Sequence, residues 1–198
     1  MKKYKLIVGG LALLAALISV KKMARASYEQ APYEVLETAG EIEIRQYKPF
    51  LTATVETPGG FKESMNRGFR RLAGFIFGKN DEEKKIAMTT PVLFDAPERN
   101  KSSKMSFMVP SQYQLSDLPK PEDEGIVFEQ QPAKVMAALR FSGNITEELW
   151  MSKKEELMQK LSATEYEAVS DVLFYGYDPP VVPAPLKRNE VVVEVRRK

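Results

Sequence analysis

Histidine and cysteine are both absent from the 198 residues of this chain. The missing imidazole removes the commonest general base and metal ligand. The missing thiol removes disulfides, thiolate nucleophiles, zinc knuckles and the acylated cysteine of bacterial lipoproteins. Any chemistry falls to carboxylates, lysine, tyrosine, methionine or the backbone, and few motifs of that kind stand out. Ser19-Val20-Lys21-Lys22 has S-x-x-K spacing but lies in an apolar leader, where the match is fortuitous. Glu147 and Glu148 are adjacent carboxylates in the first turn of a predicted helix, where the helix dipole favours negative charge without any acid–base role. Asn144-Ile145-Thr146 fits a glycosylation sequon and is better read as the start of that helix. Asp81 to Lys85 is read as a solvated loop. Tyr175 and Tyr177, before Asp178-Pro179-Pro180, either line a pocket mouth or brace a turn.

The formal charge of +2 conceals an asymmetry. Six of the basic residues, Lys2, Lys3, Lys5, Lys21, Lys22 and Arg25, fall in the first 26 positions, which hold no acid. The remainder carries 23 basic against 27 acidic residues, which argues against nucleic acid as a partner. Residues 1–26 read as a signal peptide or membrane anchor: a charged start, the apolar run from Leu6 to Val20, and Ala24-Arg25-Ala26 in an A-x-A cleavage pattern. A helix over that run spans roughly 22 Å, short of the roughly 30 Å hydrocarbon core, although flanking lysines can snorkel. Residues 27–198 are the size of one domain.

Within that domain YEVLET, EIEIRQY and FLTATVET alternate apolar with polar residues, which predicts a half-exposed antiparallel meander. Thr57-Pro58-Gly59-Gly60 then starts a helix whose inward face is Phe61, Met65, Gly68, Leu72, Phe75 and Ile76, and Gly78-Lys79-Asn80-Asp81 ends it. Lys84 to Phe94 reads as a strand despite Pro91, which suits an edge or bulge because proline cannot donate to a ladder. KMSFMVP reads as a further strand, and the acid-rich loop from Ser116 to Gly125 as exposed and mobile.

Residues 42–59 align without a gap on 126–143. Ile42, Gln46, Ala53 and Gly59 meet Ile126, Gln130, Ala137 and Gly143, and Glu63 meets Glu147 at the same offset. Each copy runs into a helix and then a strand, the second helix spanning about Thr146 to Leu161 with Leu149, Trp150, Leu157 and Leu161 inward and AVSDVLFYGY following. Duplication explains this order. The predicted fold class is α+β: a pseudo-twofold repeat of antiparallel strands plus helix, forming a distorted β-barrel or curved sheet with two main helices.

Four stretches, RRLAGFIFGKNDEEKKIAMTTPVLF, KMSFMVPSQY, RFSGNITEE and YGYDPPVVPAPLKRNEVVVEV, carry G-x-N, I-x-M-T-x-P-V, Y-x-P-P and R-N-E-V in order. Over nearly all of residues 30 to 198 the chain resembles the SOUL haem-binding protein family. The resemblance implies a barrel-like fold akin to gyrase-inhibitor-like effector-binding domains, and haem or another tetrapyrrole as ligand. It places the contacts on the flank of the first helix, at Asn66, Phe69, Ala73 and Gly74, with Arg70 and Phe77 beside them. Met88 is either an apolar pocket wall or a structural residue. The basic and methionine residues that help hold haem in relatives are not reproduced at Asn66, Phe69, Ala73 and Gly74. Arg70, Arg71, Lys187 or Arg188 are the candidates to reach a propionate, Arg71 being read first as a solvated surface charge. Without histidine an axial ligand would be Tyr or Met, or apolar contact would hold the ring, and binding is expected to be weak.

The reading is therefore a noncatalytic haem carrier, buffer or scavenger at the membrane or in the periplasm. The alternatives are a small-molecule hydrolase, which needs a carboxylate–tyrosine pair in the cleft, and a membrane-tethered module for another apolar ligand or protein. Detergent-free fractionation tests the leader: the full-length chain is expected with the membrane or exported, and recovery of intact protein in the soluble cytosol would refute the targeting.

Overall fold

The computed structural model describes residues 28–96 and 102–198. The leader lies outside the described residues. Chain order is β1 (Glu29–Gln30), β2 (Tyr33–Ala39), β3 (Ile42–Tyr47), β4 (Phe50–Thr57), α1 (Phe61–Ile76), β5 (Thr89–Thr90), β6 (Val92–Asp95), β7 (Ser103–Met108), β8 (Ile126–Gln131), β9 (Lys134–Phe141), α2 (Glu147–Ser162), β10 (Tyr166–Ala168), β11 (Leu173–Gly176) and β12 (Asn189–Arg197). The curled antiparallel sheet runs β2-β3-β9-β12-β11-β6-β7-β4-β8, with β10 on β12; β1 and β5 form a separate parallel pair. Both helices pack on one face, giving the α+β half-barrel that the repeat predicts.

From β3 to β8 the sheet order reads the same backwards once each strand is exchanged for its repeat partner. β3 and β4 recur as β8 and β9 at a displacement of 84 residues. The helices recur at 86. Across the pseudo-twofold axis β6 pairs with β11, Phe94 opposite Phe174, and the tripeptide Val92-Leu93-Phe94 recurs as Val172-Leu173-Phe174.

One expectation is overturned here. β2 and β3 form the predicted hairpin, but β3 and β4 are not neighbours: β3 pairs with β9, and β4 with β8. The two repeats thus exchange their first strands. Lys48-Pro49 and Pro132-Ala133 join the strands that part company, and proline's fixed φ of about −65° is incompatible with the positive φ that tight hairpin turns demand. Central position also changes burial. Leu51 to Val55 are buried without interruption, so β4 is covered on both faces; β2, at the edge of the large sheet, is exposed from Glu34 to Thr38.

The first helix forms where its signals place it. Gly60 is the N-cap, and Thr57 Oγ1 donates to the Ser64 carbonyl at 3.1 Å. Gly68, Leu72, Phe75 and Ile76 are buried, with Phe61 and Met65 packed beside them. Full burial of Leu72 or Phe75 contributes about 1.5–3 kcal/mol each. Gly68 permits the approach to β7, since a Cβ there would stand 2.9 Å from Met105 Cβ. The second helix is capped by Thr146, which accepts from the Leu149 amide at 3.2 Å, and buries Trp150, Leu157 and Leu161.

Lys84 to Phe94 is not one strand. The Thr90–Pro91 bond is cis, and it separates β5 from β6. Thr89 Oγ1 donates to the Met108 carbonyl and the Thr90 carbonyl accepts from the Ala31 amide, so the threonines meet backbone partners around the break. AVSDVLFYGY likewise divides into β10 and β11, with the Ser170 hydroxyl taking the Glu194 amide where the ladder lapses. Asn80, 2% exposed, organises the loop after α1. Its amide donates to the carbonyls of Phe75 and Lys84, and its oxygen accepts from the amides of Glu82 and Lys84. The loop from Ser116 to Gly125 is anchored rather than loose: Arg71 grips Asp123 with two bonds of 2.6 Å, and Asp81 and Lys120 exchange hydrogen bonds. Arg71 is therefore half-buried and ion-paired rather than a free surface charge, while Asp81 to Lys85 form the expected solvated loop, exposed except at half-buried Lys84. Replacing Asn80 with Ala strands several buried backbone groups and is expected to lower stability by about 2 kcal/mol, read as a reduced urea midpoint at unchanged slope.

Candidate functional site

Two surfaces concentrate chemistry. The first is the outer flank of α1. Phe69 is 40% exposed and Phe77, the C-cap residue, 65% exposed, with half-buried Ala73 between them and Asn66 and Arg70 exposed alongside. The Phe69 ring rests edge-on against Phe107 at 5.3 Å, which anchors one end of the strip. Gly74 lies beside it, where a Cβ would meet the Lys79 side chain at 3.2 Å. Arg70 Nε donates to the Asn66 carbonyl, and its guanidinium has no carboxylate partner among the described residues. Arg67 is ion-paired with Glu63. At the equivalent places on α2 stand Glu155, Gln159 and Ala163 where α1 has Phe69, Ala73 and Phe77. The aromatic strip thus belongs to one helix of the pair, and helix packing does not require it.

These six positions, 66, 69, 70, 73, 74 and 77, share one face. Met88 is half-buried and packs against the main core, two residues beyond Ile86, whose amide donates to the Ile76 carbonyl at 2.8 Å. Lys187 is not brought to α1: its Nζ donates to Asn144 Oδ1 at 2.9 Å, just before α2. Of the other cations considered, Arg71 is held by Asp123, and half-buried Arg188 is paired with Glu190. Arg70 alone of the four both lies on the strip and lacks an acidic partner among the described residues.

The second surface is the helix-free face of the sheet, with its own apolar cluster around Tyr47, Leu93, Met136, Tyr175 and Tyr177. At its centre is Glu190, fully buried and bonded four times. Arg45 Nη1 donates to Oε2 at 2.6 Å and Arg45 Nη2 to Oε1 at 3.1 Å; Arg188 Nε donates to Oε1 and the Tyr177 hydroxyl to Oε2, both at 2.9 Å. The Arg188 guanidinium stacks on Tyr177 at 3.8 Å, and that of Arg45 on Tyr33 at 4.3 Å. Burial alone would raise the Glu190 carboxyl, but the hydrogen bonds and charges of Arg45 and Arg188 outweigh it and hold the group below the ordinary carboxylate range. Burial pushes the Tyr47 phenol up to about 12 and raises those of Tyr175 and Tyr177 as well. Tyr177 faces a buried carboxylate, the pair that a hydrolase would need, yet every acceptor site of that carboxylate is already filled.

Beside this network lies a hollow of about 140 Å³, lined by Tyr47, Phe50, Leu93, Glu129, Leu173 and Tyr175 among others, none of them from α1. Tyr175 is thus a pocket residue, while Tyr177 braces Glu190. Sequence reading singled out Tyr175, Tyr177 and Arg188 on this face but missed the Arg45–Glu190 pair and Glu129. The signal for the face was the alternation of Thr52 and Thr54 with Leu51, Ala53 and Val55, together with Arg45 next to Ile44 in β3 and Glu190 directly before the Val191-Val192-Val193 run of β12.

The model of the family described as SOUL heme-binding protein matches residues 28–194, and the chain belongs to that family. Heme-binding protein 1 of Mus musculus is 30% identical over 176 residues, covering 83% of this chain and 92% of the mouse protein. Heme-binding protein 1 of Sus scrofa is 29% identical over 183 residues, covering 87% and 95%. Among solved structures, the EcmrR C-terminal domain superposes with a TM-score of 0.62 at 10% identity, over 84% of this chain and 99% of that one. A hydrolase from Listeria innocua gives 0.52 at 9% identity, over 89% and 98%. At such identities these structures share the fold alone.

Glu190 sets an acid limit. Because its folded carboxyl is held low, its contribution is present above the unfolded value near 4.3 and is lost as pH falls through the folded value. Glu190→Gln leaves Arg45 and Arg188 without their buried counter-charge and is expected to cost about 3–5 kcal/mol at pH 7. Urea titrations at several pH values between 7 and 3 should show a shallower acid dependence for the variant than for the parent.

Proposed function

We propose that this protein binds haem or another tetrapyrrole reversibly and without catalysis, against the outer strip of α1. The observation that carries the reading is the bare apolar strip of Phe69, Ala73 and Phe77, beside an arginine without an acidic partner among the described residues, on one helix of a duplicated pair. Membership of a family whose relatives are named heme-binding proteins supports it. The residues fit a macrocycle held by contact. Two aromatic rings flank a small residue on which a flat ring can lie, and Arg70 is suited to pair with a propionate. When bound, the tetrapyrrole supplies its own iron or ring chemistry; Phe69 and Phe77 cover apolar surface and Arg70 orients the acidic edge. Neither histidine nor cysteine is present to ligate iron, so affinity rests on burial of ring area.

The hollow on the opposite face is smaller than the roughly 300–1,000 Å³ of a drug-sized ligand site and suits no macrocycle. The saturated Glu190 favours binding over hydrolysis. We further propose that the protein works at the membrane or beyond it, a reading supported by the basic and apolar leader in residues 1–26. Titration of the purified protein with hemin is expected to give a saturable Soret shift near one equivalent. Phe69→Asp or Phe77→Asp should weaken it about tenfold while leaving the urea midpoint nearly unchanged. The absence of a saturable shift would refute the reading.

A further inference from the structure

The pseudo-twofold axis sets the two ends of the helix-free face against each other, and they differ in one respect. At one end Arg45 of β3 reaches Glu190 of β12 and the space between is filled. The axis carries Arg45 onto Glu129 of β8 and Glu190 onto Lys104 of β7, as the registers Arg45↔Met136 and Thr52↔Glu129, and Phe174↔Val191 and Phe94↔Met105, require. The second end therefore has the charges reversed, and there the pair does not close. Lys104 turns to Glu56 at 3.3 Å, and the other lysine of the hollow, Lys134, turns to Glu194 at 3.0 Å. Glu129 is half-buried, and its Oε2 accepts only long bonds from neutral donors, Thr54 Oγ1 at 3.3 Å and Gln131 Nε2 at 3.4 Å. No lysine or arginine pairs with it among the described residues. Where this carboxylate and its unfilled partner space lie, the structure has the hollow, walled by Phe50, Leu93, Leu173 and Tyr175.

We infer that this hollow is a binding site for a small planar organic cation, an amidinium or guanidinium on a body no larger than one aromatic ring. The ligand supplies to Glu129 the cation that the protein supplies to Glu190 from Arg45. A planar amidinium can take both oxygens of a carboxylate in parallel hydrogen bonds and lie against aromatic faces. Its apolar body enters a volume of about 140 Å³, close to the roughly 150 Å³ that admits a benzene ring. The cation also neutralises a half-buried carboxylate that Thr54 and Gln131 satisfy only with dipoles. The site is separate from the strip on α1 and does not depend on haem binding.

The test is calorimetric titration of the full chain with benzamidine, using benzamide as the uncharged isostere. Saturable binding of benzamidine, at least tenfold weaker binding of benzamide, and a loss of at least tenfold with Glu129→Gln are expected. Phe69→Asp should leave benzamidine binding unchanged, which separates this site from the haem site. Amide shifts in a ¹⁵N–¹H spectrum of the parent protein should fall on β8 and β11 and spare α1, a readout independent of whether the variant folds. Equal binding of benzamide and benzamidine, unchanged affinity in Glu129→Gln, shifts confined to α1, or no saturable binding would each overturn the inference.

Discussion

The Arg45–Glu190 pair is the contact on which the architecture turns, because its partners belong to different repeats and lie 145 residues apart. A charge pair this deep is not a strong source of stability, since desolvation consumes most of the Coulombic gain. Its effect is on register. Slipping β3 by one residue would turn Arg45 to the helix side and leave Glu190 buried beside apolar neighbours without its main counter-charge. The pair therefore specifies which strand β3 joins. With β3 on β9 and β8 on β4, neither repeat keeps its first strand, and each half completes the other.

That exchange explains why a symmetric backbone carries asymmetric surfaces. Both helices cover the same side of the sheet, and each needs only one apolar stripe to do so. α2 spends its outer face on Glu155 and Gln159, whereas α1 sets Phe69 and Phe77 in solvent. On the opposite face, one end is closed by the ion pair and its tyrosines; the other, with its charges reversed, keeps a hollow. Each departure from the twofold marks a place where packing alone does not dictate the residue, and function is sought at those places.

Much of the fold was legible in the sequence, for physical reasons that can be named. The α1 face was readable because Gly68, Leu72, Phe75 and Ile76 recur at helical spacing, and the duplication because Ile42, Gln46, Ala53 and Gly59 recur at one offset. Strand exchange was not readable. Alternation says which face a residue takes, never which strand lies alongside, and Lys48-Pro49 is short enough to suggest a hairpin. The motifs that carry the family resemblance turned out to be structural. Asn80 of G-x-N holds a loop, Tyr177 of Y-x-P-P and Arg188 and Glu190 of R-N-E-V form the buried network, and Pro91 separates two strands. Lys187, offered as a cation that could reach a propionate, bonds Asn144 instead, since charge type alone says nothing about distance from α1. Glu129 escaped notice because the alignment that sets it opposite Arg45 says nothing of what Arg45 reaches; the reversed charge gains meaning only once Arg45 is seen to pair with Glu190.

Paramagnetic broadening can show whether a planar ligand lies on the outer strip of α1. Ferric haem added to ¹⁵N-labelled protein is predicted to erase amide signals from about Asn66 to Gly78 while sparing β3, β8 and β12. Broadening centred on Tyr47, Glu129 and Glu190 instead would refute this placement and move the tetrapyrrole to the face of the sheet that the helices leave bare.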